Sequence, residues 1–302
     1  MSRTHEQRNL WLPQYWPAWL GIAIFWLVDK LTWPEKRRIA RGLGWFTFNI
    51  VRIRRAVVIT NLELCFPEKS AGEINTLARA NFDALALAIF ELCAGCWAKP
   101  EDLPSYRIIG LSHLQQALER SQGVILLSAH YTTIGMSTRI LVENHPTGML
   151  YRDPNHPVFA HMFHTKRAEF MSPTVHFEDL RGLIRALRKG STIWYAPDQS
   201  KLTKFSEIIP FFGEPAITNT ATSKIASMTG AAVVPYFAKR EADHSYTLTI
   251  LPALENFPTA NAAEDALRIN RLIEEYVRLA PEQYFWIHKR FKRRGPGYPE
   301  VY

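Results

Sequence analysis

Cysteine is scarce, with three among 302 residues, which excludes a secreted disulfide framework and points to a reducing compartment. Two of the three form Cys93-Ala-Gly-Cys96, but no second pair accompanies them, so neither a zinc site nor a redox motif is expected there. No repeat, Gly/Ser linker or charge block divides the chain. With 47% hydrophobic and 21% charged residues, disorder, collagen and low complexity are excluded as well. The Gly-x-Ser-x-Gly elbow of serine acyl-enzymes is missing. So are helix-turn-helix, zinc-finger and RNA-binding signatures, and no nucleic-acid partner is expected. The apolar run from Trp16 to Val28 has 13 residues, short of the roughly 20 that a helix needs to cross a bilayer.

What is present is unevenly placed. Lys plus Arg exceed Asp plus Glu by 36 to 28, for a formal charge of +8, which favours an anionic partner. Five of the nine Trp fall at positions 11, 16, 19, 26 and 33, around the apolar run, an aromatic belt suited to a short or monotopic membrane anchor. Seven basic residues follow between Lys36 and Arg55 with no acid among them. Such a stretch suits anionic headgroups and holds the body of the protein on the cytoplasmic side. The expected division is an anchor over residues 1–34 and one catalytic domain over 35–302.

Ser70-Ala-Gly-Glu73 has capping-box spacing and opens a long helical pattern through Phe82, Leu85, Ile89 and Leu92. From about residue 105 short apolar strands alternate with helices. Strands are predicted at 123–129, 148–151, 191–196, 231–237 and 246–251, and one helix runs from an Asp179 cap to a stop at Lys189-Gly190. The alternation predicts an α/β fold with a mixed sheet flanked by helices.

Ligands of open α/β sheets bind beyond the carboxyl ends of strands. His130 directly follows one predicted strand, Tyr151-Arg152-Asp153 ends a second and Ala196-Pro-Asp198-Gln199 ends a third, so an imidazole, a guanidinium and a carboxylate can converge on one rim. His156, His161 and His164 also cluster, but no Cys or well-placed carboxylate completes a coordination set, so no metal and no cofactor are expected.

Leu62-Glu-Leu-Cys-Phe-Pro67, Ser128-Ala-His130, Tyr151-Arg152, Trp194-Tyr-Ala-Pro-Asp198 and Ala280-Pro-Glu-Gln-Tyr-Phe-Trp-Ile-His-Lys-Arg-Phe-Lys292 together resemble the late acyltransferases of lipid A biosynthesis, the lauroyl/myristoyl transferase family. The resemblance covers essentially the whole chain. It implies a glycerolipid-acyltransferase-like fold, an inner-membrane anchor and a catalytic domain on the cytoplasmic face. It also implies an acyl carrier protein thioester as donor and a Kdo-bearing lipid A precursor as acceptor. In that chemistry His130 is the general base, with Arg152 and Asp198 as substrate-binding residues. The basic carboxyl-terminal run, Lys289, Arg290, Lys292, Arg293 and Arg294, would face the acidic carrier or acceptor phosphates.

Two departures stand out. The family pattern places Asp or Glu five residues after the His, and here that position is Gly135. Asp198 and Glu91 are the carboxylates that could substitute. After Asp198 the chain runs Gln199-Ser-Lys-Leu-Thr-Lys-Phe205 instead of the usual acid, tyrosine and glycine. These departures leave two alternatives open: a non-catalytic paralogue that binds lipid or carrier, and an acyltransferase with a different lipid acceptor.

Overall fold

The computed structural model describes residues 9–302, so the first eight residues of the expected anchor lie outside it. Four helices lead: α1 (Trp16–Asp29), α2 (Trp33–Phe46), which continues into one π-helical turn (Thr47–Val51), α3 (Arg55–Cys65) and α4 (Ala71–Trp97). Ser70 caps α4 through the predicted capping box, its hydroxyl accepting the Glu73 amide while the Glu73 carboxylate takes the Ser70 amide. Among the described residues α4 is the one helix long and apolar enough to cross a membrane, but more than half of its apolar window is buried inside the protein. It is a core helix.

The chain then builds the α/β body: β1 (Tyr106–Ile109), α5 (Leu111–Arg120), β2 (Val124–Leu127), α6 (Ile134–Asn144), β3 (Gly148–Tyr151), α7 (Pro157–Phe170), β4 (Thr174–His176), α8 (Leu180–Arg188), β5 (Thr192–Tyr195), β6 (Ser206–Phe211), β7 (Glu214–Asn219), α9 (Ala221–Thr229), β8 (Ala232–Arg240), β9 (Tyr246–Ile250) and α10 (Ala262–Leu279). Seven strands form one sheet in the order β1-β9-β8-β2-β5-β3-β4. Every neighbouring pair is parallel except β8 with β9, so the sheet is mixed as expected. β6 and β7 form a separate antiparallel hairpin.

Helices cover both faces, which is why β2 and β5 read as unbroken apolar runs. Ile125 and Leu127 point into a core with α8, α9 and α10. Val124 and Leu126 point the other way, into a core with α5, α6 and β9. Asp179 caps α8, its carboxylate accepting the Gly182 amide at 2.8 Å, and Gly190 leaves the helix at φ +86, so both predicted ends are where the sequence put them.

The amino-terminal helices pack on this body instead of standing apart. Ala18 and Ile22 of α1 bury against Val158 and Met162 of α7. The opposite face of α1 carries exposed Trp16, Leu20, Ile24 and Leu27. Lys36 of the basic stretch is not on the surface: its ammonium is buried 3.5 Å from Asp29, where it closes the end of α1.

Candidate active site

The centre of the site follows from strand register. β2 and β5 are parallel neighbours with Leu127 opposite Tyr195, and the Ser128 amide extends the pairing to the Tyr195 carbonyl at 2.8 Å. Residues three beyond each member of that pair therefore meet, and they are His130 and Asp198. The His130 ring Nδ1 lies 2.6 Å from Asp198 Oδ1, and the His130 backbone amide donates to Asp198 Oδ2 at 3.0 Å.

A carboxylate on Nδ1 fixes the neutral imidazole with its proton there and its lone pair on Nε2. Asp198 is fully buried, and its side chain is bonded three ways, because the Tyr284 hydroxyl also donates to Oδ2 at 2.9 Å. Burial alone would raise the Asp198 carboxyl, but the His130 charge and these hydrogen bonds win, and it sits well below the usual carboxylate range. Burial likewise opposes the charged form of His130. The Asp198 charge and hydrogen bond outweigh it, so the imidazole is raised above its ordinary value. Burial, reinforced by the Asp198 charge, pushes the Tyr284 phenol well above its ordinary range and keeps it a donor.

The segment after α10 forms the back wall. It pairs with the loop that carries His130: the Thr132 amide donates to the Gln283 carbonyl at 2.8 Å and the Phe285 amide to the His130 carbonyl at 3.0 Å. Two buried asparagines clamp it from the other side. Asn81 of α4 donates to the carbonyls of Glu282 and Tyr284, each at 2.8 Å, and Asn61 of α3 donates to those of Trp286 and His288. His288 lines the same crevice as His130. Its Nε2 accepts the Ser200 amide at 2.9 Å, so the neutral ring carries its proton on Nδ1 as a donor. Burial pushes this imidazole down to about 4, against an opposing pull from Asp198 and with help from Arg290.

The chain aligns over nearly its full length with known proteins. The family model described as bacterial lipid A biosynthesis acyltransferase matches residues 3–293. The chain belongs to that family. It is accordingly an acyltransferase of lipid A biosynthesis by kinship. It is 33% identical over 293 residues to a lipid A biosynthesis lauroyltransferase of Escherichia coli K12, covering 96% of both chains. It is 32% identical to a palmitoleoyltransferase of the same organism, covering 96% of this chain and 95% of that one. With the E. coli myristoyltransferase the identity is 28%, over 96% and 91% of the two chains. Among solved structures, a 1-acyl-sn-glycerophosphate acyltransferase from Thermotoga maritima superposes with a TM-score of 0.37 at 11% identity, over 81% of this chain and 97% of that one.

Several residues of the acyltransferase occupy places that the sequence did not predict. Of the two carboxylates offered in place of the family acid, Glu91 is committed elsewhere. It is buried in α4, bonded by Arg240 and by the Tyr246 hydroxyl, and makes no contact with His130. Gly135 has a packing reason. A Cβ there would lie 2.8 Å from the Leu92 Cα, and one on Gly95 would lie 2.7 Å from the Gly135 carbonyl oxygen. Helices α4 and α6 thus touch backbone to backbone at the position where the resemblance implies an acid.

Arg152 is exposed at the end of β3, over the Phe177 ring, two strand spacings or about 10 Å from the strand of His130. Arg290 does not face a partner, because it is buried and donates to Ile217 and Thr218 of β7. Arg294 is tied to Glu214. Only Lys292 and Arg293 of that run lie open, with Lys289 half-buried. Cys93 and Cys96 are pushed up by burial to about 12 and about 11, so both stay thiols. Tyr284, His288, Asn61 and Asn81 are the site residues that sequence reasoning missed. For Tyr284 and His288 the signal was the aromatic run after Ala280, whereas Asn61 and Asn81 sit inside helical patterns that gave none.

Proposed function

We propose that the protein transfers a fatty acyl chain from an acyl carrier protein thioester to a hydroxyl of a Kdo-bearing lipid A precursor. The observation that carries the mechanism is the 2.6 Å contact between His130 Nδ1 and Asp198, which leaves Nε2 as the base facing the crevice. The acceptor hydroxyl oxygen attacks the thioester carbonyl carbon as its proton passes to Nε2. Asp198 stabilises the imidazolium so formed. Negative charge gathers on the former carbonyl oxygen, where the His288 Nδ1–H is an available donor and Arg152 a cation within reach of a bound phosphate. Collapse breaks the carbon–sulfur bond, and the leaving thiolate takes the proton back from Nε2. The products are ester and carrier thiol, with no acyl-enzyme and no cofactor.

Gly135 in place of an acid favours a non-catalytic reading; what supports catalysis against it is the Asp198 carboxylate, which reaches His130 from the neighbouring strand. The fold is read as a glycerolipid-acyltransferase-like arrangement carrying a monotopic anchor at the cytoplasmic face of the inner membrane. Supporting that reading, α1 has 14 residues, about 21 Å, against a hydrocarbon core of about 30 Å. Its outward face is apolar, and exposed Ile39, Trp45, Phe46 and Ile50 continue the surface along α2 beside Arg38 and Arg41.

The decisive experiment is total-lipid mass spectrometry of a deletion strain complemented with wild type, with His130→Ala and with an empty vector. The expected result is a secondary acyl chain on lipid A that appears only with wild type. The same chain with His130→Ala would remove His130 from the mechanism, and a change confined to another lipid would replace the acceptor.

A further inference from the structure

A second concavity lies outside the catalytic crevice. It is an open cleft of about 290 Å³ between α2, α4 and the turn joining β8 to β9, and the two share no lining residue. Its floor is made of small side chains, Ala40 on α2 and Ala80 and Ala84 on α4, with Leu87 at one end. The floor is narrow because α2 packs backbone-close on α4, where a Cβ on Gly44 would strike Asp83.

The walls are charged. Arg37 and Arg41, one helical turn apart on α2, overhang it together with Arg240, His244, Asp83 and Glu282. Arg240 is held internally by Glu91. Among the described residues no ion pair within 4 Å joins Arg37 or Arg41 to a carboxylate, although Asp83, raised by burial, feels the opposing charges of Arg79 and then Arg41. His244, displayed on a left-handed turn residue at φ +68, is lowered first by burial and then by the converging charges of Arg37, Arg240 and Arg41, with Asp243 opposing.

Two guanidinium forks match the oxygens of a phosphate. The Asp83 and Glu282 carboxylates accept hydrogen bonds from hydroxyl groups and repel a bare anion, so phosphate alone satisfies half the cleft. We propose that this cleft binds a phosphorylated sugar, its phosphate on Arg37 and Arg41 and its ring hydroxyls on Asp83 and Glu282. The volume suits one such unit. Glu282 is three residues from Phe285, whose amide holds the His130 carbonyl, so the chain between cleft and catalytic loop spans at most about 11 Å. The neighbouring apolar face of α2 presents the sugar phosphate as a membrane glycolipid headgroup. This last step rests on the proposed function; the sugar-phosphate assignment does not.

The test is calorimetric titration of the detergent-solubilised full chain with N-acetylglucosamine 1-phosphate, N-acetylglucosamine and inorganic phosphate. The sugar phosphate should bind more tightly than either half. Arg37→Gln with Arg41→Gln should weaken it about 10-fold or more. Removing two charges of the same stretch outside the cleft, Arg52→Gln with Arg55→Gln, should change it less than twofold. Ala80→Leu fills the floor without altering charge, keeps a strong helix former and should abolish binding. Equal losses in the two arginine pairs, equal affinity for phosphate and sugar phosphate, or full binding by Ala80→Leu would each overturn the assignment. In a transfer assay the Arg37/Arg41 variant should raise the acceptor KM with kcat within twofold. Sugar-phosphate binding that persists in a protein inactive on lipid A precursors would leave the cleft standing and remove the proposed function.

Discussion

Asp198 makes three hydrogen bonds with two oxygens, to a ring nitrogen, a backbone amide and a phenol, and that density has kinetic consequences. A base must be neutral to act, and His130 is raised above its ordinary value of about 6.5. Acyl transfer should therefore climb with pH through an apparent pKa above that value. In Asp198→Asn both raising causes disappear while burial remains, so the limb should move to lower pH, below the ordinary imidazole value. The rate should fall by about 10³ to 10⁴, since the amide cannot stabilise imidazolium and favours the wrong tautomer. A pH–rate profile on wild type and variant measures both effects. Tyr284→Phe removes one bond to Asp198 and should cost about 10-fold in kcat at nearly unchanged KM. A larger loss in KM than in kcat would take Tyr284 out of the positioning role.

At the scale of elements, α4 and α6 meet through Gly95 and Gly135, and the close approach decides what position 135 can hold. Gly135→Glu restores the family acid in sequence but drives a Cβ into the Leu92 backbone. It should destabilise the protein by about 1–3 kcal/mol or more, readable as a lower melting temperature, and reduce activity instead of raising it. Asn81→Ala leaves two carbonyls of the back wall without their donor and should cost about 1–3 kcal/mol, with activity lost in parallel. The same scale explains what the sequence made legible. β2, β5, β8 and β9 are legible because largely buried strands are short apolar runs between turn residues, and the half-buried β3 is legible as the apolar Gly148–Tyr151. β1 was missed because it is mostly exposed, and β6 and β7 because Pro210 and Pro215 interrupt their patterns. His130 and Asp198 were legible as strand ends. Their pairing depends on β2 lying beside β5 in register, which no local pattern records, and Gly135 read as a loss because the helix crossing it serves is equally non-local.

For the whole molecule, the proposed membrane surface combines the exposed apolar side chains of α1 with the exposed arginines that follow it, and membrane binding should draw on both. Replacing exposed Leu20 and Leu27 by Glu leaves the core untouched. It should lower partitioning onto vesicles by about 100-fold, given roughly 1.5 kcal/mol or more for each buried leucine. Sedimentation of the variant with anionic vesicles checks this. Raising salt should weaken the remaining attraction, because exposed charges are screened over about 10 Å.

The back wall of the crevice comes from residues 281–288, yet it is held by Asn61 and Asn81 and closes on His130 and Asp198. During synthesis the helices that present the apolar and basic surface are complete early, while the segment that seats the Tyr284 hydroxyl and the His288 ring emerges near the end. The residues that complete the crevice are thus among the last to leave the ribosome, and the donors of Tyr284 and His288 join His130 and Asp198 only after the rest of the site has been synthesised.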